Sequence, residues 1–114
     1  MMIPQDVANT IVHPKAYADG NRVDEAFRWL RANAPFAKAQ PEGFDPFWVA
    51  TRFADIQEIE KQNDLFHNGD LATVVTPIEA DKRVRQMTGG SPHLVRSLVQ
   101  MDNPDHMNYR RLTQ

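Results

Sequence analysis

The sequence predicts a mixed α/β fold that is mainly helical, and three observations lead there. Apolar side chains recur at helical spacing in two separate stretches, Val23–Ala34 and Phe53–Ile59. Between them lie two short runs suited to strands, joined by the turn signal Pro41-Glu42-Gly43. Near the carboxyl end, Asp102-Asn103-Pro104-Asp105 has the composition of a helix start.

Residues 1–20 are expected to be irregular, because Pro4, Pro14 and the Asp19-Gly20 pair all punctuate the chain there. Asn21 to Asn33 is expected to be a helix. Val23, Phe27, Leu30 and Ala34 share one face, and Pro35 ends it. Phe36 to Gln40 reads as a strand, and Phe47-Trp48-Val49-Ala50-Thr51, aromatic and β-branched, pairs back on it. Trp29 and Trp48 are expected as core aromatics where helix meets sheet. Arg52 to Lys61 follows as a helix with Thr51 as its cap and Phe53, Ile56 and Ile59 as a buried stripe. Leu65-Phe66 is expected to rejoin the sheet. Asn68 to Pro92 carries Gly69, Pro77, Gly89, Gly90 and Pro92 with weak periodicity, and reads as one long loop. His93-Leu94-Val95-Arg96-Ser97-Leu98-Val99 leads from it into the last helix.

Composition narrows the function classes. A net charge of -2 argues against a nucleic-acid footprint, which needs a basic patch. The 114 residues hold neither a long apolar run nor a signal peptide, so no membrane partner is expected and a soluble, cytoplasmic protein is. With no cysteine, disulfides and thiolate metal sites are excluded within this sequence.

The chemistry is concentrated in the last helix. Asp102 or Asn103 is placed to cap it, Pro104 suits its first position, and Asp105 puts negative charge in the first turn. His106 and Arg110 then fall on one face, about 6 Å apart along the axis. Two donors at that spacing suit a pair of carboxylates on one ligand. Other combinations are weaker. Asp102 and His106 lack a second ligand pair for a metal, so none is expected. Ser91, His93 and Asp102 lack a nucleophile elbow. Gly89-Gly90 lacks the Lys-Ser or Lys-Thr of a phosphate loop. His13 and His67 are lone surface or packing histidines.

Asp-x-Pro-x-His-x-x-x-Arg at a helix start resembles the helix C signature of the cytochrome P450 superfamily, especially its soluble bacterial haem-thiolate monooxygenases. Asn103 replaces that family's usual second proline. The order helix, hairpin, helix also resembles the opening of that fold. The resemblance implies the N-terminal portion of a single cytochrome P450 domain over residues 1–114: helix A, β-hairpin, helix B, a long B–C loop at 68–95, and the start of helix C, where the chain is truncated. His106 and Arg110 would bind the propionates of haem b, whose iron ligand, a cysteine, lies outside this segment. No catalytic residue is expected within it. The B–C loop would be the substrate lid, with Leu94, Val95, Leu98 and Val99 lining the pocket.

A narrower likeness runs through Ala26-Phe27-Arg28-Trp29-Leu30-Arg31, Gly43–Thr51, Gly89–His93 and Tyr109–Thr113, which are similar to the terpineol-hydroxylating subgroup. It implies a small apolar substrate, terpene-like or aromatic, hydroxylated with O₂ and electrons delivered by a ferredoxin and its ferredoxin reductase. Lys82, Arg96 and Arg111 are candidates for that docking face. Alone, the segment is expected to be inactive. The alternatives are a self-contained α+β binding module with an anion site at His106/Arg110, and a structural piece in which the pair is merely solvated.

Overall fold

A computed structural model describes residues 1–72 and 74–113, so Thr73 in the expected 68–95 loop and Gln114 lie outside the described residues. The chain divides into two units, Met1–Lys61 and Gln62–Gln114.

The first unit opens with three helices: α1 (Gln5–Val12), α2 (Pro14–Ala18) and α3 (Gly20–Asn33). The first two correct the expectation that residues 1–20 are irregular. The prolines sit at helix starts, where a missing N–H costs nothing. The Pro4 carbonyl accepts from Ala8 N at 2.9 Å to open α1. Pro14 begins α2, and His13 caps it by accepting from Lys15 N through Nδ1 at 3.2 Å. Helix α3 follows its predicted bounds to within a residue and buries Val23, Ala26 and Leu30.

Strands β1 (Phe36–Ala39) and β2 (Phe47–Ala50) pair antiparallel in the register Phe36↔Ala50 to Ala39↔Phe47. Phe44 N donates to Pro41 O at 3.2 Å across the turn. Gly43 takes φ +81° there, the left-handed conformation a type II turn requires at its third position. On β1, the further pairing partner is the amino terminus. Ile3 N donates to Lys38 O at 2.9 Å and Lys38 N to Met1 O at 3.3 Å.

The core consists of Ile3, Ala8, Ile11, Ala26, Leu30, Ala34, Ala37, Ala39 and Val49. Its abundance of alanine suits the close packing of α1 on α3, with Leu30 as its large, fully buried side chain. Trp29 packs against this core, but Trp48 does not. Trp48 is 59% exposed and stacks on Phe36, ring centroids 5.1 Å apart, on the outer face of the hairpin. The strand's alternation turns Val49 inward and therefore Trp48 outward.

Helix α4 (Phe53–Glu60) forms as expected, but Thr51 does not cap it. Thr51 N and Oγ1 both donate to Pro35 O, at 2.9 and 3.1 Å, closing the hairpin instead. Nor is its apolar stripe buried: Phe53 is 74% exposed and Ile56 36%. The spacing is helical, yet α4 holds no buried residue, so its period marks a face and not a contact.

The second unit opens with a turn in which Leu65 N and Phe66 N both donate to Gln62 O, at 3.0 and 2.9 Å. This helical turn takes up Leu65 and Phe66, so they form no strand, and the sheet among the described residues has two strands. The stretch read as one long loop contains helix α5 (Ile78–Thr88). Its acidic first turn and its left-handed Gly89, φ +73°, are ordinary helix ends. Gly90 N closes the end on Arg85 O at 2.7 Å. A 3₁₀ turn at Leu98–Gln100, helix α6 (Asp105–Arg110) and a 3₁₀ turn at Arg111–Thr113 follow among the described residues.

Candidate functional site

Helix α6 carries both predicted donors. It starts on the carbonyls of Asp102 and Pro104, which accept from His106 N at 3.0 Å and Asn108 N at 3.1 Å. Met101, just before it, is buried and anchors the approach. Asp105 lies in the first turn as expected, and its carboxylate receives Arg96 Nη2 at 3.0 Å. His106 is half-buried and Arg110 exposed. Neither side chain has a hydrogen-bond or ion-pair partner among the described residues. Two unengaged donors one turn apart fit the carboxylates of a haem, and the planar guanidinium suits a bidentate contact. Arg111 falls in the following 3₁₀ turn.

Asp102 is not the side-chain cap its position suggested. Its carboxylate reaches back across 34 and 33 residues to accept from Asn68 N at 2.7 Å and Gly69 N at 2.8 Å. The Asn68 amide holds its pKa below the usual value, with help from Gly69, His67 and Arg96 against an opposing cost of burial. Beside it stands His67, which is not the lone histidine its sequence surroundings suggest. Its Nδ1 pairs with Asp70 Oδ2 at 3.0 Å and its Nε2 with Asp64 O at 3.1 Å. The Asp70 hydrogen bond, chiefly, raises the His67 pKa. One donor atom from each of His67, Asp70 and Asp102 lies within 4.8 Å of the others. The spacing His67-x-x-Asp70 was visible in the sequence, but its conjunction with Asp102 was not.

Next to this cluster, a cavity of about 310 Å³ is lined by apolar Ala72, Val74, Val84, Pro92, Leu94 and Val95, with Thr76, Asp81, His93 and Gln100 as polar groups. Two of the four expected pocket residues, Leu94 and Val95, are therefore brought together. Leu98 and Val99 are in the 3₁₀ turn and are not among the residues that line the cavity. Helix α5 forms one wall, and Arg85 stiffens it by binding Asp81 at 2.7 Å and Gly90 O at 3.1 Å. Ser91, His93 and Asp102 do not assemble into a hydrolase triad. Ser91 Oγ engages the backbone of His93, and the His93 ring lies against Gly69 O at 3.3 Å. Among the described residues, no helix is long and apolar enough to cross a membrane.

Comparison with known proteins gives a consistent picture. No family model matches the chain. It is 41% identical over 111 residues to cytochrome P450-terp from a Pseudomonas species, an alignment covering 97% of this chain and 26% of that protein. It is 37% identical over 75 residues to cytochrome P450 NovI from Streptomyces niveus, covering 62% of this chain and 17% of that one. The crystal structure of CYP108D1 from Novosphingobium aromaticivorans superposes with a TM-score of 0.92 at 40% identity, over 98% of this chain and 28% of that one. The chain thus spans about a quarter or less of the length of these relatives.

Proposed function

Since the chain belongs to the cytochrome P450 superfamily and carries the N-terminal portion of its fold, we propose that it serves a haem-dependent monooxygenase in which His106 and Arg110 anchor the haem propionates. The supporting observation is the pair itself: two donors on one face of α6, neither engaged with the rest of the chain. Bound haem b, ligated by a cysteine beyond these 114 residues, would supply oxygen activation for hydroxylation.

What this chain's own groups do is bind and shape. The planar guanidinium of Arg110 meets a carboxylate with two parallel N–H groups. His106 adds a second donor one turn earlier. The segment 68–95 covers the substrate, which is small and apolar. The support for that is the apolar wall of Val74, Val84, Leu94 and Val95 and a volume suited to a compact hydrocarbon skeleton. Leu98 and Val99 do not line this cavity, and their proposed contact with the substrate rests on the family resemblance alone. Electrons come from a ferredoxin and its ferredoxin reductase, with Lys82, Arg96 and Arg111 as docking charges, in a soluble cytoplasmic protein. Without the iron ligand the segment alone is inactive.

In the full-length protein, Arg110→Ala is expected to lower haem retention more than Arg111→Ala. Equal haem content in the two purified variants would refute the role given to Arg110. Substitutions between Asn68 and Pro92 should change substrate preference while the ferrous–CO spectrum persists, and collapse of that spectrum would make the segment structural instead.

A further inference from the structure

Two separated stretches of the second unit, at His93 and at Gln100–Asp102, converge on Gly69. Its N–H donates to Asp102 Oδ2 at 2.8 Å, and its carbonyl lies 3.3 Å from His93 Nε2. The space where a Cβ would stand is bounded at 3.0 Å by both Asp102 Oδ2 and the Gln100 carbonyl. The neighbouring Asn68 N–H fills the second oxygen of the same carboxylate at 2.7 Å. Asp102 is also the residue whose carbonyl opens α6 by accepting from His106 N. One residue therefore ties the 67–70 stretch to the first turn of the helix bearing His106 and Arg110.

We propose that Asp102 is a positioning residue for haem binding: its carboxylate, clasped by the Asn68 and Gly69 amides, fixes the start of α6 and so the direction in which His106 and Arg110 present their donors. The proposal rests on the haem reading above. The geometry supports it in three ways. Both carboxylate oxygens are used, which sets the carboxylate's orientation as well as its place. Gly69 admits the close approach because it has no side chain there. And α6 is only six residues long, so with few internal bonds its direction depends on what holds its first turn. The charged groups around the carboxylate are His67 and Arg96, which favour its ionised form, and Asp70, whose carboxylate lies within 4.8 Å and opposes it.

The test follows haem transfer from the full-length holoprotein to an excess of a haem-scavenging apoprotein, read by Soret absorbance. Asp102→Ala is expected to release haem roughly three- to tenfold faster. Asp102→Asn should fall between it and the parent, since its amide oxygen still accepts one backbone N–H. In a His106→Ala/Arg110→Ala background, adding Asp102→Ala should change the rate by less than about twofold, because the clasp acts through the removed pair. An unchanged rate in both Asp102 variants would overturn the proposal, as would the same acceleration in both backgrounds, the mark of a merely structural residue. Should Asp102→Ala fail to fold, Asp102→Asn gives the same comparison. If His106→Ala/Arg110→Ala itself releases haem no faster than the parent, the haem reading fails first and takes this inference with it.

Discussion

Leu30 offers the most direct test of how the first unit is held together. It has no exposed surface and sits among Ala8, Ala26, Ala34, Ala37 and Ala39. Leu30→Ala removes three carbons, each worth about 0.8 kcal/mol when buried, or roughly 2.4 kcal/mol in transfer free energy. The cavity term adds to this, since the five alanines of the core cannot swing into the gap and only Ile3, Ile11 and Val49 among its buried side chains can relax toward it. The expected loss is therefore about 3–5 kcal/mol, the upper part of the range for such truncations. Urea unfolding of the full-length protein, followed by near-ultraviolet circular dichroism, measures it. Leu65→Ala is the control: Leu65 is 72% exposed, and its truncation should cost no more than about 0.5 kcal/mol. A Leu30→Ala loss below about 1 kcal/mol would refute the reasoning, because it would mean the small-residue core collapses freely around the deletion.

Gly43→Ala should cost about 1 kcal/mol, read as a shift in the same urea midpoint; nothing lies within 4 Å of an added Cβ, so the whole cost is the left-handed backbone at φ +81°. No loss would mean the turn adopts another geometry. The clasp should also respond to pH in two opposite senses. Asp102 titrates below its ordinary value of 3.8, so its contribution is complete above that value and is lost as pH falls through the lowered one. His67 titrates above its ordinary value of 6.5, so its pairing with Asp70 contributes fully below 6.5 and is lost as pH rises through the raised one. Protection of the Asn68 and Gly69 amides from hydrogen exchange, corrected for the intrinsic rate, should thus be greatest at mildly acidic pH, and His67→Ala should abolish the alkaline decline alone. A flat profile in the parent protein would contradict both assignments.

Local pattern carried a good part of this fold. Helix α3 and the hairpin follow from spacing and turn chemistry, and the donor pair on α6 from a four-residue interval. The misreadings share one cause: a residue was assigned its commonest role. Pro4 and Pro14 have the local look of breakers, though at helix starts they are compatible with α1 and α2. The glycines after α5 suggested a loop throughout, while Gly89 in fact ends a helix. Phe53 and Ile56 form an amphipathic stripe as predicted, but periodicity reports which residues share a face and not whether that face is covered.

By itself the sequence determined the secondary elements with strong periodicity, the likeness to cytochrome P450s, and the interval between His106 and Arg110, because all of these are set within a few neighbouring residues. Only the tertiary structure decided that Asp102 turns away from its own helix to take the amides of Asn68 and Gly69, that His67 joins Asp70 beside it, and that Trp48 faces outward. An acid two residues before a helix-starting proline can cap or reach elsewhere with similar local energy. The choice falls to whichever backbone amides the folded chain brings within hydrogen-bonding distance, here 33 and 34 residues away.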